Sequence, residues 1–343
     1  MGPTARMIFN FSFMLFAILL IAGSAPAETI TLKNGIVAHG TIVKAEERGI
    51  RVEYSEDKIV YHRREEIADV QRDNDPVLAQ VAALRKKGDL AKAETALLRA
   101  IEAQPVGWLA ERYRLELMEC QQARGRFADA VETYLAMMRA NPESWHYARM
   151  PLPIGGSGEN KIALQCLENS MTEAPARRPG GQVFPLQWTL MGGILAADGK
   201  AADAEVYLKL LSSVHDDRSS ALARLLSAEV ALADRKGRAA AELLEKNLRL
   251  LPEELKPLAY SLLGAAYAQC GEPKLAATAF LRIPLGDFSE SVALQSECLF
   301  QGAAECEKAG LKDQAAALRR ELAEKFPGSY RAKSASPKEN VDK

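Results

Sequence analysis

A four-part spacing recurs seven times along the chain and constrains its fold more than any other feature. A complete copy has a glycine, an alanine five residues later, a bulky residue four after that and a proline eight further on, as in Gly125, Ala130, Tyr134 and Pro142. The fourth and sixth copies keep this spacing without the proline. A period of this length is typical of stacked helical pairs, because one pair cannot bury its apolar stripe without a neighbour. The seven alanines, 33 to 41 residues apart, are Ala93, Ala130, Ala163, Ala204, Ala240, Ala276 and Ala315.

Two copies depart from this spacing in ways that predict local differences. Pro151 and Pro153 precede the third copy and interrupt its first helix, since proline lacks an amide hydrogen and clashes with the preceding turn. We therefore expect the third repeat to be distorted. The fifth copy has its glycine displaced to Gly237.

The pattern resembles the tetratricopeptide repeat (TPR), which runs W-x₂-L-G-x₂-Y, then A-x₃-F, then P over about 34 residues. The resemblance covers about residues 76 to 328. It implies a mainly α fold, a TPR-like α-solenoid of about seven helical hairpins with an extended concave face. The fourth and sixth copies also keep the upstream half of the pattern, in Trp188, Met191, Gly192 and Leu195, and in Tyr260, Leu263, Gly264 and Tyr267.

Residues 28–72 differ from the rest of the chain and predict a small β module. Thr29–Leu32 alternates polar and apolar side chains, as a half-buried strand does. Asn34-Gly35 follows, a pair that favours tight hairpins. Four or five strands are expected, in a module that resembles SH3-like or Sm-like barrels. So short a sheet buries little surface, so we expect it to pack on the first helices or on another subunit, as a structural or partner-docking cap.

The two ends of the chain predict export and a disordered tail. Arg6, the apolar run 13–22 and the small residues around Ala27 predict a signal peptide over residues 1–27, cleaved before Glu28. The alternative is an uncleaved membrane anchor; after cleavage no membrane span is expected, and the protein is periplasmic or extracellular. Residues 329–343 are nearly free of apolar side chains and predict disorder.

The sequence contains no pattern that predicts catalysis or a cofactor. The formal net charge is −1, which gives no basic field for nucleic acid. The four histidines have no second histidine or cysteine at metal-ligand spacing, so we expect neither an enzyme nor a bound metal. The five cysteines lie in apolar helical patterns and are interpreted as small buried side chains, although export leaves disulfide pairing open.

In the TPR family, peptides often lie along the concave face made by the first helix of each hairpin. The resemblance places a candidate partner groove there, without the asparagine and lysine clamp that some members use for a terminal carboxylate. Its residues are mostly small, neutral or acidic, which favours an apolar stretch of a partner, or packing of one solenoid on another in a homo-oligomer. The groove residues are Leu115, Glu119, Gln122, Thr189, Gly193, Leu225, Glu229, Leu232, Ser261, Ala265, Phe300 and Glu307.

These features together predict an exported, non-enzymatic adaptor or scaffold of the cell envelope. Its partners would be other envelope or secreted proteins. Two alternatives stay open: a permanent structural subunit of a secretion or outer-membrane assembly, and a protein that binds or processes cell-wall polymer.

Overall fold

The protein is described by a computed structural model over residues 28–46, 49–72, 75–105, 107–141, 147, 149–153, 157–173, 183–286 and 291–335. The chain divides into two compact units, Met1–Ala79 and Gln80–Lys343. The predicted signal peptide lies outside the described residues.

The first unit contains a five-stranded antiparallel sheet, which confirms the predicted β module. The strand order is β4-β3-β2-β1-β5, so the last strand returns to pair with the first. Whether the sheet is related to SH3-like or Sm-like barrels stays a prediction. The strands are β1 (Glu28–Leu32), β2 (Val37–Glu46), β3 (Gly49–Ser55), β4 (Lys58–Arg63) and β5 (Ile67–Arg72).

The tight turn expected at Asn34-Gly35 joins β1 to β2. Gly35 has φ +84°, and its amide donates to the carbonyl of Leu32 at 2.9 Å. The side chains of Ile30, Val52 and Ile67 are buried, as the alternating pattern requires.

Fourteen α-helices follow within the described residues. Each helix from α2 to α13 contacts the next one along the chain. Contacts also join α6 to α8 and α8 to α10, each of which is the first helix of its pair. The helices are α1 (Pro76–Lys86), α2 (Leu90–Ala103), α3 (Trp108–Ala123), α4 (Phe127–Ala140), α5 (Ser157–Glu173), α6 (Val183–Ala197), α7 (Ala201–Ser212), α8 (Asp217–Ala233), α9 (Gly237–Asn247), α10 (Lys256–Gln269), α11 (Pro273–Leu285), α12 (Val292–Lys308), α13 (Lys312–Lys325) and α14 (Tyr330–Ala335).

The repeated small residues lie where helices approach closely, which confirms a repeating array of helical pairs. All seven motif alanines have at most 1% of their surface exposed. A side chain at Gly264 would place its Cβ 2.7 Å from the ring of Phe280 on the paired helix α11. A side chain at Gly192 would meet Leu226 of the next pair at the same distance. The small residues therefore recur with the same period as the close contacts between helix backbones.

The fifth pair turns without a glycine, contrary to what the displaced Gly237 suggests. Arg235 occupies the turn with φ +59°, whereas Gly237 is the first residue of α9. A Cβ at Gly237 would lie 3.0 Å from the carbonyl oxygen of Ala266, so this glycine serves close packing of α9 on α10.

Replacing Arg235 with glycine should raise the free energy of unfolding by about 1 kcal/mol, because a Cβ in the left-handed region is strained. For a unit of this size the melting temperature should rise by about 2–4 °C. Lys236→Gly is the matched control: that residue has φ −97°, so glycine relieves no strain there and should lower stability. An Arg235→Gly variant that melts below the parent protein would contradict the assignment.

Among its described residues, the third repeat shows no first helix paired with α5, in line with the distortion that the two prolines predict. Residues 149–153 carry no regular secondary structure, and α5 packs between its neighbours as a single helix. Its motif residues Ala163 and Leu167 are nevertheless fully buried. Of the fourteen α-helices in the described residues, twelve therefore form six consecutive pairs, and α5 and α14 have no paired helix.

The second unit closes on itself. Helix α3 packs against α12, and the turn at Gly88 meets Pro327 and Gly328. Each helical pair is rotated relative to the last, and here the accumulated rotation brings the beginning of the array against its end. The extended open concave face expected from the sequence is therefore not present.

The predicted disorder of residues 329–343 is corrected for residues 329–335. Residues Tyr330–Ala335 form α14, and Ala332 is buried against Leu299 and Leu322. The few apolar side chains in this segment suffice because a neighbouring apolar surface is already in place. Residues 336–343 lie outside the described residues.

Within the described part of the chain, no helix has both the length and the apolar character needed to cross a bilayer. The five cysteines are free thiols, and Cys120, Cys298 and Cys306 are buried, as expected for small apolar side chains.

Candidate partner-binding cleft

The predicted groove residues all lie on the first helices of their pairs, which form the inner wall of the array. These helices are α3, α6, α8, α10 and α12. The structure sorts the residues into three groups, according to whether they line a cleft, pack in the core or lie elsewhere.

One cleft on the inner wall brings four predicted residues together. Thr189 and Gly193 come from α6, and Leu225 and Glu229 come from α8. The cleft is shallow, with a cavity volume of about 30 Å³, and it opens to solvent. Its other lining residues are Phe127, Met150, Pro151, Leu152, Pro153, Leu190, Ile194 and Leu258.

The segment Met150–Pro153 forms one side of this cleft and was not predicted to be part of it. Met150 and Pro151 are buried, and Leu152 packs against an apolar cluster that includes Phe280 and Leu294. The side-chain amide of Gln122 donates to the carbonyl oxygen of Leu152 at 3.1 Å. An extended apolar segment of the chain itself therefore lies on the face where a partner was expected. The alternation of apolar residues with proline in Met150–Pro153 is the signal that sequence reasoning took only as a helix interruption.

Tyr134 holds the beginning of this segment. Its hydroxyl donates to the carbonyl oxygen of Tyr147 at 2.8 Å, and the ring of Tyr147 lies 4.1 Å from the guanidinium of Arg218. Tyr134 is fully buried, and burial raises its pKa.

Tyr134→Phe should lower the free energy of unfolding by about 1–2 kcal/mol, because the carbonyl of Tyr147 loses its donor. Amide hydrogens of residues 149–153 should exchange faster, as measured by hydrogen–deuterium exchange with mass spectrometry. Tyr267→Phe is the control, since its hydroxyl bonds to Glu245 at the surface and should matter little. Equal exchange in residues 149–153 for parent and Tyr134→Phe would show that this bond does not hold the segment.

Glu229 is the only charged residue among those that line the cleft in the described part of the chain. Its Oε2 lies 3.1 Å from the position that a Cβ on Gly193 would occupy. Burial among apolar neighbours raises the pKa of Glu229 to about 7. The carboxylate can therefore gain or lose a proton near neutral pH, or pair with a cation that enters the cleft.

Thr189 is the second polar side chain among the residues that line the cleft. Its hydroxyl donates to the carbonyl of Pro185 at 2.7 Å, one turn earlier in α6. The hydroxyl hydrogen is therefore already engaged, while the lone pairs of the hydroxyl oxygen can still accept a hydrogen bond.

The predicted residues on α3 belong to internal packing rather than to a free groove. Leu115 is fully buried, and Gln122 is used by Leu152. Glu119 accepts from the hydroxyl of Ser291 at 3.2 Å and from the amide of Ala293 at 3.4 Å, at the start of α12. Burial raises the pKa of Glu119, while the charges of Arg149 and Arg85 oppose that shift. The expectation that α3 presents these residues to a partner is corrected, because Leu115 packs in the core, Gln122 bonds to Leu152 and Glu119 bonds to the start of α12.

The remaining predicted residues do not line the cleft. Phe300 packs beneath the guanidinium of Arg331 at 4.7 Å, and the exposed Glu307 pairs with Arg319 on α13. The other three pack near the core: Leu232, Ser261 and Ala265.

No group of three or more potential metal ligands is found among the described residues.

Comparisons with known proteins give a loose structural likeness only. No protein-family model matches the chain, and no curated protein matches it. A tetratricopeptide repeat protein from Parabacteroides merdae is 16% identical with a TM-score of 0.41, covering 76% of this chain and 96% of that one. PilW, described as a widely conserved type IV pilus biogenesis factor, is 14% identical with a TM-score of 0.37, covering 76% and 96%. Pseudomonas aeruginosa pilF is 17% identical with a TM-score of 0.33, covering 76% and 95%. Superpositions this loose support no functional argument, and the fold assignment depends on the chain's own helices and contacts.

Proposed function

We propose that the protein is an exported, non-enzymatic adaptor of the cell envelope that holds a segment of a partner protein in the cleft between α6, α8 and Met150–Pro153. The observation that supports this most is the cleft itself. It is mostly apolar, and it brings together residues from several repeats. Concave, apolar sites with a few polar groups are the usual form of a binding site.

Several lining residues are accessible enough to meet a partner. Leu152, Pro153, Gly193, Glu229 and Leu258 each keep part of their surface exposed. The rest of the predicted groove is occupied by the protein's own residues, so only a short partner segment can bind in the cleft. Export is supported by the sequence of residues 1–27 alone.

Position-dependent photo-crosslinking tests this assignment. A photoreactive phenylalanine analogue at Leu152 should crosslink to a partner protein in intact cells, whereas the same group at Val206 should not. Val206 is 55% exposed on α7, away from the lining residues. Crosslinks from Val206 and none from Leu152 would reject the cleft as the partner site.

A cleft-filling variant completes the test. Gly193→Leu places a side chain against Glu229 and should abolish the crosslink from Leu152. Gly158→Ala is the control, because a Cβ at Gly158 meets nothing within 4 Å. A crosslink to polysaccharide, or a complex with other proteins that never dissociates in light scattering, would favour the polymer-binding or permanent-subunit alternative.

A further inference from the structure

The carboxylate of Glu229 is an unusual feature for an apolar cleft, and its surroundings indicate what the cleft accepts. None of the other lining residues carries a charge, and burial alone accounts for its altered acidity. An ionised carboxylate with no cation beside it is costly in apolar surroundings. The same carboxylate becomes favourable when a ligand supplies the missing positive charge.

We propose that the cleft selects a partner segment carrying one basic side chain, lysine or arginine, flanked by apolar residues, with Glu229 as its counter-charge. This inference rests on the proposed function. Charge complementarity determines the occupant, because Glu229 offers one negative charge and the walls offer apolar surface for the aliphatic stem of a basic side chain.

The geometry beside Glu229 leaves room for such a group. Gly193 has no side chain, and any Cβ there would stand 3.1 Å from Oε2 of Glu229. The carboxylate therefore packs on the backbone of α6 at Gly193, and Glu229 stays partly exposed, so a ligand group can approach it from the cleft. Thr189 lines the same cleft, and its hydroxyl oxygen keeps lone pairs that can accept a hydrogen bond from an ammonium or guanidinium group.

The walls determine the rest of the partner segment. Ile194, Leu225 and Leu258 are apolar, and the chain's own Met150–Pro153 already packs in extended form along one side. A partner segment with apolar residues on both sides of its basic residue fits these walls. An acidic or strongly polar segment would leave unpaired charge against them.

The test uses small probes on the full exported chain, since no partner is identified. n-Pentylammonium is compared with the uncharged 1-pentanol at pH 8, by methyl NMR of Ile194, Leu225 and Leu258. We expect the amine to bind at least tenfold more tightly than the alcohol. Glu229→Gln should remove that preference and Glu229→Asp should keep most of it, because only the aspartate retains the charge.

Three results would overturn the inference: equal affinity for the two probes, an amine preference that persists in Glu229→Gln, or no binding of either probe at the cleft methyls. These results are separable from failure of the proposed function. A partner crosslinked from Leu152 together with equal probe affinities defeats the charge selection only. A clear amine preference without a crosslink from Leu152 would support the charge selection by Glu229 and reject the cleft as the partner-binding site.

Discussion

Glu229→Gln is expected to stabilise the protein by about 3 kcal/mol above pH 7 and to have little effect below pH 4.5. Burial raises the pKa of Glu229 to about 7, from the ordinary value of 4.5 that applies to the unfolded chain. Between these values the unfolded chain has released the proton while the folded chain retains it. Stability therefore falls as pH rises through this window, and the loss is complete above pH 7. At about 1.4 kcal/mol per unit, a window of about 2.5 units gives the expected figure.

Denaturant titrations of the parent protein and Glu229→Gln at pH 4.5, 6 and 8 measure this difference. The gap between the two should open steadily with pH, because glutamine does not ionise. Glu242→Gln on α9 is the control, an exposed glutamate whose replacement should change stability by less than about 0.5 kcal/mol at every pH. A gap of the same size at all three pH values would show that folding does not raise the pKa of Glu229.

A destabilising carboxylate of this size favours a functional explanation over a structural one. A leucine or glutamine at position 229 would fill the same space at lower cost, and proteins retain local conflicts of this kind mainly at functional sites. A basic partner residue would remove the cost on binding, so the pH dependence should weaken when the cleft is occupied.

The repeat pattern predicted the local structure because its residues act locally. Each motif alanine packs against a helix close to it in sequence, so one period contains the information for one contact. The turn at Asn34-Gly35 is equally local. The turn at Arg235 was missed because a non-glycine residue at positive φ carries no signal in the sequence.

The inner wall was predicted less well because its contacts are long-range. Glu119 on α3 accepts a hydrogen bond from Ser291 at the start of α12, far away in the sequence. The repeat period predicts contacts between neighbouring helices and carries no information on contacts of this kind. The repeats look equivalent in sequence, so family positions were carried over to every first helix alike. Curvature then separated Gly193 and Glu229, which line a cleft, from Leu115, which packs in the core.

Closure of the array predicts unequal effects for two glycines with the same backbone conformation. Gly328 and Gly310 have φ +78° and +80°, so replacing either with alanine should cost about 1 kcal/mol in backbone strain. A Cβ at Gly328 would in addition lie 2.3 Å from the carbonyl oxygen of Gly88, whereas one at Gly310 meets nothing within 4 Å. Gly328→Ala should therefore cost a further 2 kcal/mol or so, since backbone atoms must move apart.

The difference between the two variants isolates the contact that joins the ends of the array. Gly328→Ala should speed hydrogen exchange at the amide of Gly88, which donates to Arg85 in the first turn of the array. It should also raise the radius of gyration in small-angle scattering, while Gly310→Ala leaves both unchanged. Equal melting temperatures and equal exchange at Gly88 would mean that the ends do not meet in solution. Glu119, whose partners lie at the start of α12, would then be available to a partner protein.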